Sequence, residues 1–104
     1  MKIVNTLGLA ALALVTLTAA AAPTAPRVEI KHFAYGPTEL TVPVGATVTW
    51  VNEDEEPHTV RADGVFASAG LDYDETFSFQ FTKAGRYTYS CALHPKMTGT
   101  VIVK

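Results

Sequence analysis

Cysteine is nearly absent: Cys91 is the only one in 104 residues, so no disulfide within the chain can hold it together. Basic side chains are in deficit as well, with 8 Lys and Arg against 10 Asp and Glu. Setting aside Lys2 leaves seven against ten, a net charge of about −3 over the rest of the chain. That sign excludes the electrostatic footprint of a nucleic-acid binder and of a protein held to anionic membrane surfaces. Beyond residue 22 no stretch repeats its apolar residues at a helical period, which sets aside helical bundles and α/β folds. The length allows one domain.

The first stretch is not part of that domain. Lys2 is followed by an uncharged apolar run from Ile3 to Ala22 that closes on four alanines. A positive start, an apolar middle and a small-residue end predict a secretory signal peptide over residues 1–22. An uncleaved membrane anchor is the alternative, since about 20 apolar residues can span a bilayer. Residues 23–26, rich in Pro, Ala and Thr, read as a short tether, and 27–104 as the domain. The mature protein is therefore expected to be exported and periplasmic. A core of roughly 80 residues is marginal by apolar burial alone. The lone thiol of an exported chain then needs an explanation: an inert buried group, an intermolecular bridge or a metal thiolate.

From Arg27 onward the pattern is β. Val28 and Ile30 alternate with Glu29 and Lys31; Leu40, Val42 and Val44 share a face; Thr47 to Asn52 is a β-branched strand carrying Trp50. Pro43 predicts an edge strand or a bulge. Residues 62–75 read as loop with one short strand or a turn of helix. Phe77, Phe79 and Phe81 alternate with Ser78 and Gln80, and Tyr87 and Tyr89 continue the period to Cys91. A last strand runs from Thr98 to Lys104. Short strands with turn signals between them indicate an all-β antiparallel sandwich or barrel, with the aromatic stripe as its core. The acidic run Glu53-Asp54-Glu55-Glu56 reads as a solvated loop, with a docking patch as the other reading.

The chemistry is concentrated in Cys91-Ala92-Leu93-His94-Pro95-Lys96-Met97. A thiolate, an imidazole and a thioether recur at three-residue spacing between two strands, where a loop can curl them towards one point. Pro95 restricts the backbone beside the imidazole. His58, upstream, can join them if both strand ends lie at one pole. One thiolate, two imidazoles and a thioether suit copper. Structural zinc prefers a closed set of thiolates and imidazoles, and calcium and magnesium want oxygen donors. A Cys–His nucleophile lacks an orienting acid, and a short loop leaves little room for a substrate cleft. No enzyme is expected.

With these landmarks the chain resembles the cupredoxins, the type 1 blue copper proteins, from about Arg27 to Lys104. The resemblance rests on Thr38-Glu39-Leu40-Thr41-Val42, Gly45, Val48-Thr49-Trp50-Val51-Asn52, Pro57-His58-Thr59-Val60, and Gly85 through Cys91. The two-residue gaps in the ligand loop are most similar to amicyanin, and the fold is similar to plastocyanin. The resemblance implies a small antiparallel Greek-key β-sandwich holding one type 1 copper per chain. His58, Cys91 and His94 would be its equatorial ligands and Met97 its weak axial one. It also implies a monomer shuttling single electrons between a redox donor and acceptor, with the His94 ring edge as electron port. Ala34, Tyr35, Leu93 and Pro95 would surround that port. Donors to the Cys91 sulfur are expected near Asn52 or in Ala92 to Leu93. Many relatives have an asparagine after the upstream histidine, tying the two loops through its side chain. Thr59 and Ala92 stand here instead, which predicts a looser tie. The rival reading is a periplasmic copper carrier or buffer with the same four ligands, but such carriers are often rich in Met and His. Beyond residue 22 this chain has one Met and three His.

Overall fold

The computed structural model describes residues 25–104; the signal peptide reading and the first half of the tether lie outside them. The alternation of β-branched and aromatic residues with polar ones makes strands with one wet and one dry face. They are β1 (Arg27–Lys31), β2 (Ala34–Gly36), β3 (Glu39–Val42), β4 (Thr47–Asn52), β5 (Arg61–Ala62), β6 (Phe66–Ala67), β7 (Thr76–Gln80), β8 (Gly85–Ser90) and β9 (Thr98–Val103). No helix occurs among the described residues.

Two sheets form, in the orders β2-β1-β4-β7 and β3-β9-β8-β5-β6. Most neighbours are antiparallel, as expected. Each sheet also holds one parallel pair, β1 with β4 and β3 with β9, so both sheets are mixed. Val28, Ile30, Val48 and Trp50 from the first sheet bury completely, as does Val101 from the second, with Tyr89 close to it at 1% exposure. Trp50 spans the sandwich. Its ring stands edge-on to Tyr89 at 5.3 Å and lies 5.5 Å from Phe66, both in the opposite sheet. Burying an aromatic side chain of this kind contributes about 3 kcal/mol.

The sequence reading of Pro43 holds: β3 is an edge strand that ends one residue before it. The turn that follows needs Gly45 at φ +95°, a conformation that side chains resist. Val44 does not share the core face of Leu40 and Val42. It lies in that turn and is 53% exposed.

The sandwich positions a site by its ends. Cys91 is the residue after β8 and Met97 the residue before β9, and these strands pair up to Ser90 opposite Thr98. The antiparallel ladder therefore closes the Cys91–Met97 loop at its base. The ends of β1 and β4 reach the same pole, because Glu53 N–H, just beyond β4, donates to Ile30 C=O at 2.7 Å.

Candidate metal centre

The loop from Cys91 to Met97 is curled by its own backbone. Cys91 N–H donates to Met97 C=O at 3.2 Å, and Met97 N–H donates to His94 C=O at 2.9 Å. The first of these continues the ladder by one rung; the second is a turn that folds the middle of the loop back. Cys91 is fully buried and unpaired, Met97 is 6% exposed, and His94 is half-buried.

His58 arrives from the other loop. It forms an isolated bridge with Leu71, each backbone N–H donating to the other's carbonyl, at 3.1 and 2.7 Å. This bridge drives the ring inward to 0% exposure. His58, Cys91 and His94 are thereby brought together, with one donor atom from each within 4.8 Å of the others. Both histidines turn Nδ1 towards the sulfur, His58 at 3.9 Å and His94 at 3.8 Å. A buried thiol facing two imidazole nitrogens, with a buried thioether closing the loop, is a soft donor set that fits copper better than any oxygen-seeking ion. The residues present therefore suit a type 1 copper ion.

The surroundings of the sulfur favour its ionised form. Burial opposes its ionisation, but Thr59 N–H donates to it at 3.3 Å, and the His94 ring and the Leu93 and His94 amides add to this. Together they hold the thiol below its ordinary range. The Thr59 hydroxyl lies 3.8 Å from the same sulfur. It also accepts Ala92 N–H at 2.7 Å. That contact corrects the expectation of a looser tie: threonine joins the two loops through a hydroxyl and a backbone amide, so residue 92 needs no polar side chain. The expected donor near Asn52 is also corrected. Asn52 N–H goes to Glu75 C=O, and its side-chain amide goes to the carbonyls of Glu56 and Leu71 at 2.9 and 2.8 Å.

Two residues of the site escaped sequence reasoning. Asp54 belongs to the acidic run, yet its side chain is only 10% exposed, while Glu55 and Glu56 face solvent. Its carboxylate takes the Nε2 of His58 at 2.9 Å. It also accepts the backbone N–H groups of His32 at 2.7 Å and Phe33 at 2.9 Å. Burial opposes the ionised form, but these three hydrogen bonds prevail and hold the carboxyl below its ordinary value. The i, i+4 spacing from Asp54 to His58 was the available signal, hidden among four acidic neighbours.

The second is Phe33. His32 and Phe33 sit at φ 55° and 58°, a left-handed pair that costs roughly 1–2 kcal/mol per residue. The turn they make places the Phe33 ring edge-on to His58 at 5.2 Å and to His94 at 5.0 Å. Phe33, Leu93, His94, Pro95, Lys96 and Met97 line a shallow cleft of about 460 Å³. Phe33 and Leu93 are 47% and 54% exposed. Tyr35, expected in this surface, is not there. It is 3% exposed, and its hydroxyl donates to Thr59 C=O at 2.6 Å, because the alternation of β2 turns it inward.

Comparison with known proteins gives one family. The model of the cupredoxin-like domain matches residues 5–103. Amicyanin of Paracoccus denitrificans is 41% identical over 83 residues, covering 74% of this chain and 63% of that protein. The chain thus spans less than two thirds of the length of that relative. Plastocyanin of Scenedesmus fuscus is 31% identical over 84 residues, covering 67% of this chain and 86% of the relative. Among solved structures, a purple cupredoxin from Nitrosopumilus maritimus superposes with a TM-score of 0.73 at 31% identity, covering 76% of this chain and 99% of that one. A Cu(I) form of an amicyanin variant gives 0.75 at 37% identity, covering 83% and 88%.

Proposed function

The chain belongs to the cupredoxin family, and on that premise we propose that it is an exported type 1 blue copper protein that passes single electrons between larger redox proteins. The observation that carries this reading is the convergence of two Nδ1 atoms and one thiol sulfur at the end of the sandwich, with one of the two rings near the surface. In this reading His58 and His94 would hold the ion through imidazole nitrogen, Cys91 through its sulfur, and Met97 would add a weaker thioether donor. Copper bound there supplies a one-electron couple between Cu(II) and Cu(I).

The rest is work done by the chain. Strands β8 and β9 hold Cys91 and Met97 at fixed separation, and the His58–Leu71 bridge holds the third donor. A site held from both sides changes little in shape when its charge changes, which favours fast transfer. The Phe33, Leu93 and Pro95 side chains form an apolar rim around His94. That rim lets a partner exclude water from the ring edge through which the electron leaves. The partner is a redox protein, and the chain acts as a monomer. Nucleic acid and membrane surfaces are not partners, apart from an N-terminal anchor should residues 1–22 stay uncleaved. In the cleaved form the signal peptide of residues 1–22 directs the protein to the periplasm, residues 23–26 tether it, and residues 27–104 carry the site.

The protein is a carrier and not an enzyme in this reading. Among the described residues, one His/Cys donor cluster is found and the cleft above it is shallow. The copper-delivery alternative needs an ion that exchanges readily, and full burial of His58 and Cys91 opposes exchange. Adding Cu(II) to the purified protein is the test. An intense visible thiolate-to-copper band that bleaches on reduction supports the proposal, and a colourless or weakly coloured protein refutes it.

A further inference from the structure

We propose that Asp54 is a positioning residue of this centre: its carboxylate fixes the tautomer of His58, seats Phe33 over both imidazoles and lowers the reduction potential. The effect on potential rests on the copper reading above; the first two do not.

Asp54 is mounted rigidly. Its backbone N–H donates to Asn52 Oδ1 at 2.8 Å, and Asn52 is itself fully buried and bound to the carbonyls of Glu56 and Leu71. From this mount both carboxylate oxygens are used. Oδ1 accepts His32 N–H, and Oδ2 accepts Phe33 N–H and the Nε2 proton of His58. An ionised carboxylate can only accept. The proton of the neutral His58 ring must therefore reside on Nε2, which leaves the lone pair of Nδ1 directed to the side where Cys91 Sγ lies, 3.9 Å away. The ring is thus set for metal binding before any metal arrives.

The same carboxylate holds a turn that opposes its own geometry. Two successive non-glycine residues in the left-handed region persist only where the surroundings over-determine them. Here two amides pointing at one anion do so. The product of that turn is the Phe33 ring, which packs edge-on against His58 and His94 together. An anion hydrogen-bonded to a ligating imidazole also raises its donor strength. Its charge favours the more positive, oxidised state of the centre, and because it is shielded from water it acts more strongly than its exposed neighbours.

The experiment uses the full chain as wild type, Asp54→Asn, Asp54→Glu and, as an exposed control for loss of one charge, Glu55→Gln. Nitrogen-15 NMR of the metal-free wild type is expected to show the His58 proton on Nε2, slow to exchange, with contacts from the Phe33 ring to both histidines. A proton on Nδ1 overturns the proposal whether or not any variant folds. After copper loading, Asp54→Asn is expected to raise the potential by several-fold more than Glu55→Gln, while Asp54→Glu stays near wild type. Equal shifts in Asp54→Asn and Glu55→Gln overturn the effect on potential. Should Asp54→Asn fail to fold, Asp54→Glu matching wild type in potential and tautomer supports the proposal, and a Glu variant displaced as far upward as an uncharged site would be refutes it. If the wild type takes up no coloured copper, the functional reading falls, and the metal-free tautomer still decides the role of Asp54.

Discussion

His58 and His94 carry the same ring to the same sulfur, 3.9 and 3.8 Å away, and share the edge of Phe33, yet they differ in burial and in what holds them. His58 is fully buried, bridged to Leu71 through two backbone bonds and capped by Asp54 on its far nitrogen. His94 sits in a seven-residue loop on a single turn, with its ring reaching an open apolar cleft. One histidine belongs to the scaffold and the other to the surface. The proposed carrier role needs both: a fixed donor so that the site does not rearrange, and a reachable one so that the electron has a short way out.

The difference can be broken most severely at the proposed ligands themselves. Replacing Cys91 with Ser should abolish the intense visible band altogether. His94→Gly should lose it but regain it on adding free imidazole, because the cleft admits a small molecule. His58→Gly should not be rescued, since its cavity is closed. Rescue of both, followed by absorption, would remove the asymmetry. Next in size is the mount under Asp54. Asn52→Ala takes the partner from the Glu56 carbonyl and the Asp54 amide, and leaves the Leu71 carbonyl with the His58 N–H alone. The expected loss is about 3 kcal/mol in denaturant unfolding, together with a change of spectrum. Pro95→Ala, on the His94 side, should cost about 1 kcal/mol or less.

Tyr35 gives a smaller effect with a definite pH sign. Burial, followed by the nearby Cys91 and Tyr89, pushes its phenol well above the ordinary value of 10.0. A raised value in the fold means that the stabilisation is complete below the unfolded value and is lost as the pH rises above it. Tyr35→Phe should cost about 1–2 kcal/mol at neutral pH, because the Thr59 carbonyl loses its hydroxyl. The variant should also lose less stability than the wild type in alkaline unfolding. The smallest effect is expected from Glu53, Glu55 and Glu56 changed together to Gln, sparing the inward-facing Asp54. Association with a basic partner should slow by up to roughly tenfold at low salt and hardly at all at high salt. An unchanged salt dependence would leave the run without a docking role.

The strands and the pole of the site were legible in the sequence because their signals are local. Alternation over Phe77 to Phe81 and over Tyr87 to Cys91, and the three-residue spacing of Cys91, His94 and Met97, report geometry that neighbouring residues share. The cross-chain contacts were not legible. Nothing in the order of residues says that the Thr59 hydroxyl meets the Ala92 amide, or that Tyr35 turns inward to the Thr59 carbonyl while Phe33 takes the surface. Asp54 shows the reason most plainly. Four acidic residues in a row have one composition, but a buried asparagine two residues earlier pins the second of them inward. The parallel pairs of β1 with β4 and β3 with β9 are likewise set by long-range pairing, and no local pattern announces them.

A redox titration of the copper-loaded protein in the presence of a competing Cu(I) chelator tests the central claim most directly. An electron carrier should take up one electron per chain reversibly, bleach and recover its colour over repeated cycles, and keep its copper throughout. Loss of the ion to the chelator on the first reduction would contradict the account and make copper delivery the function of the site.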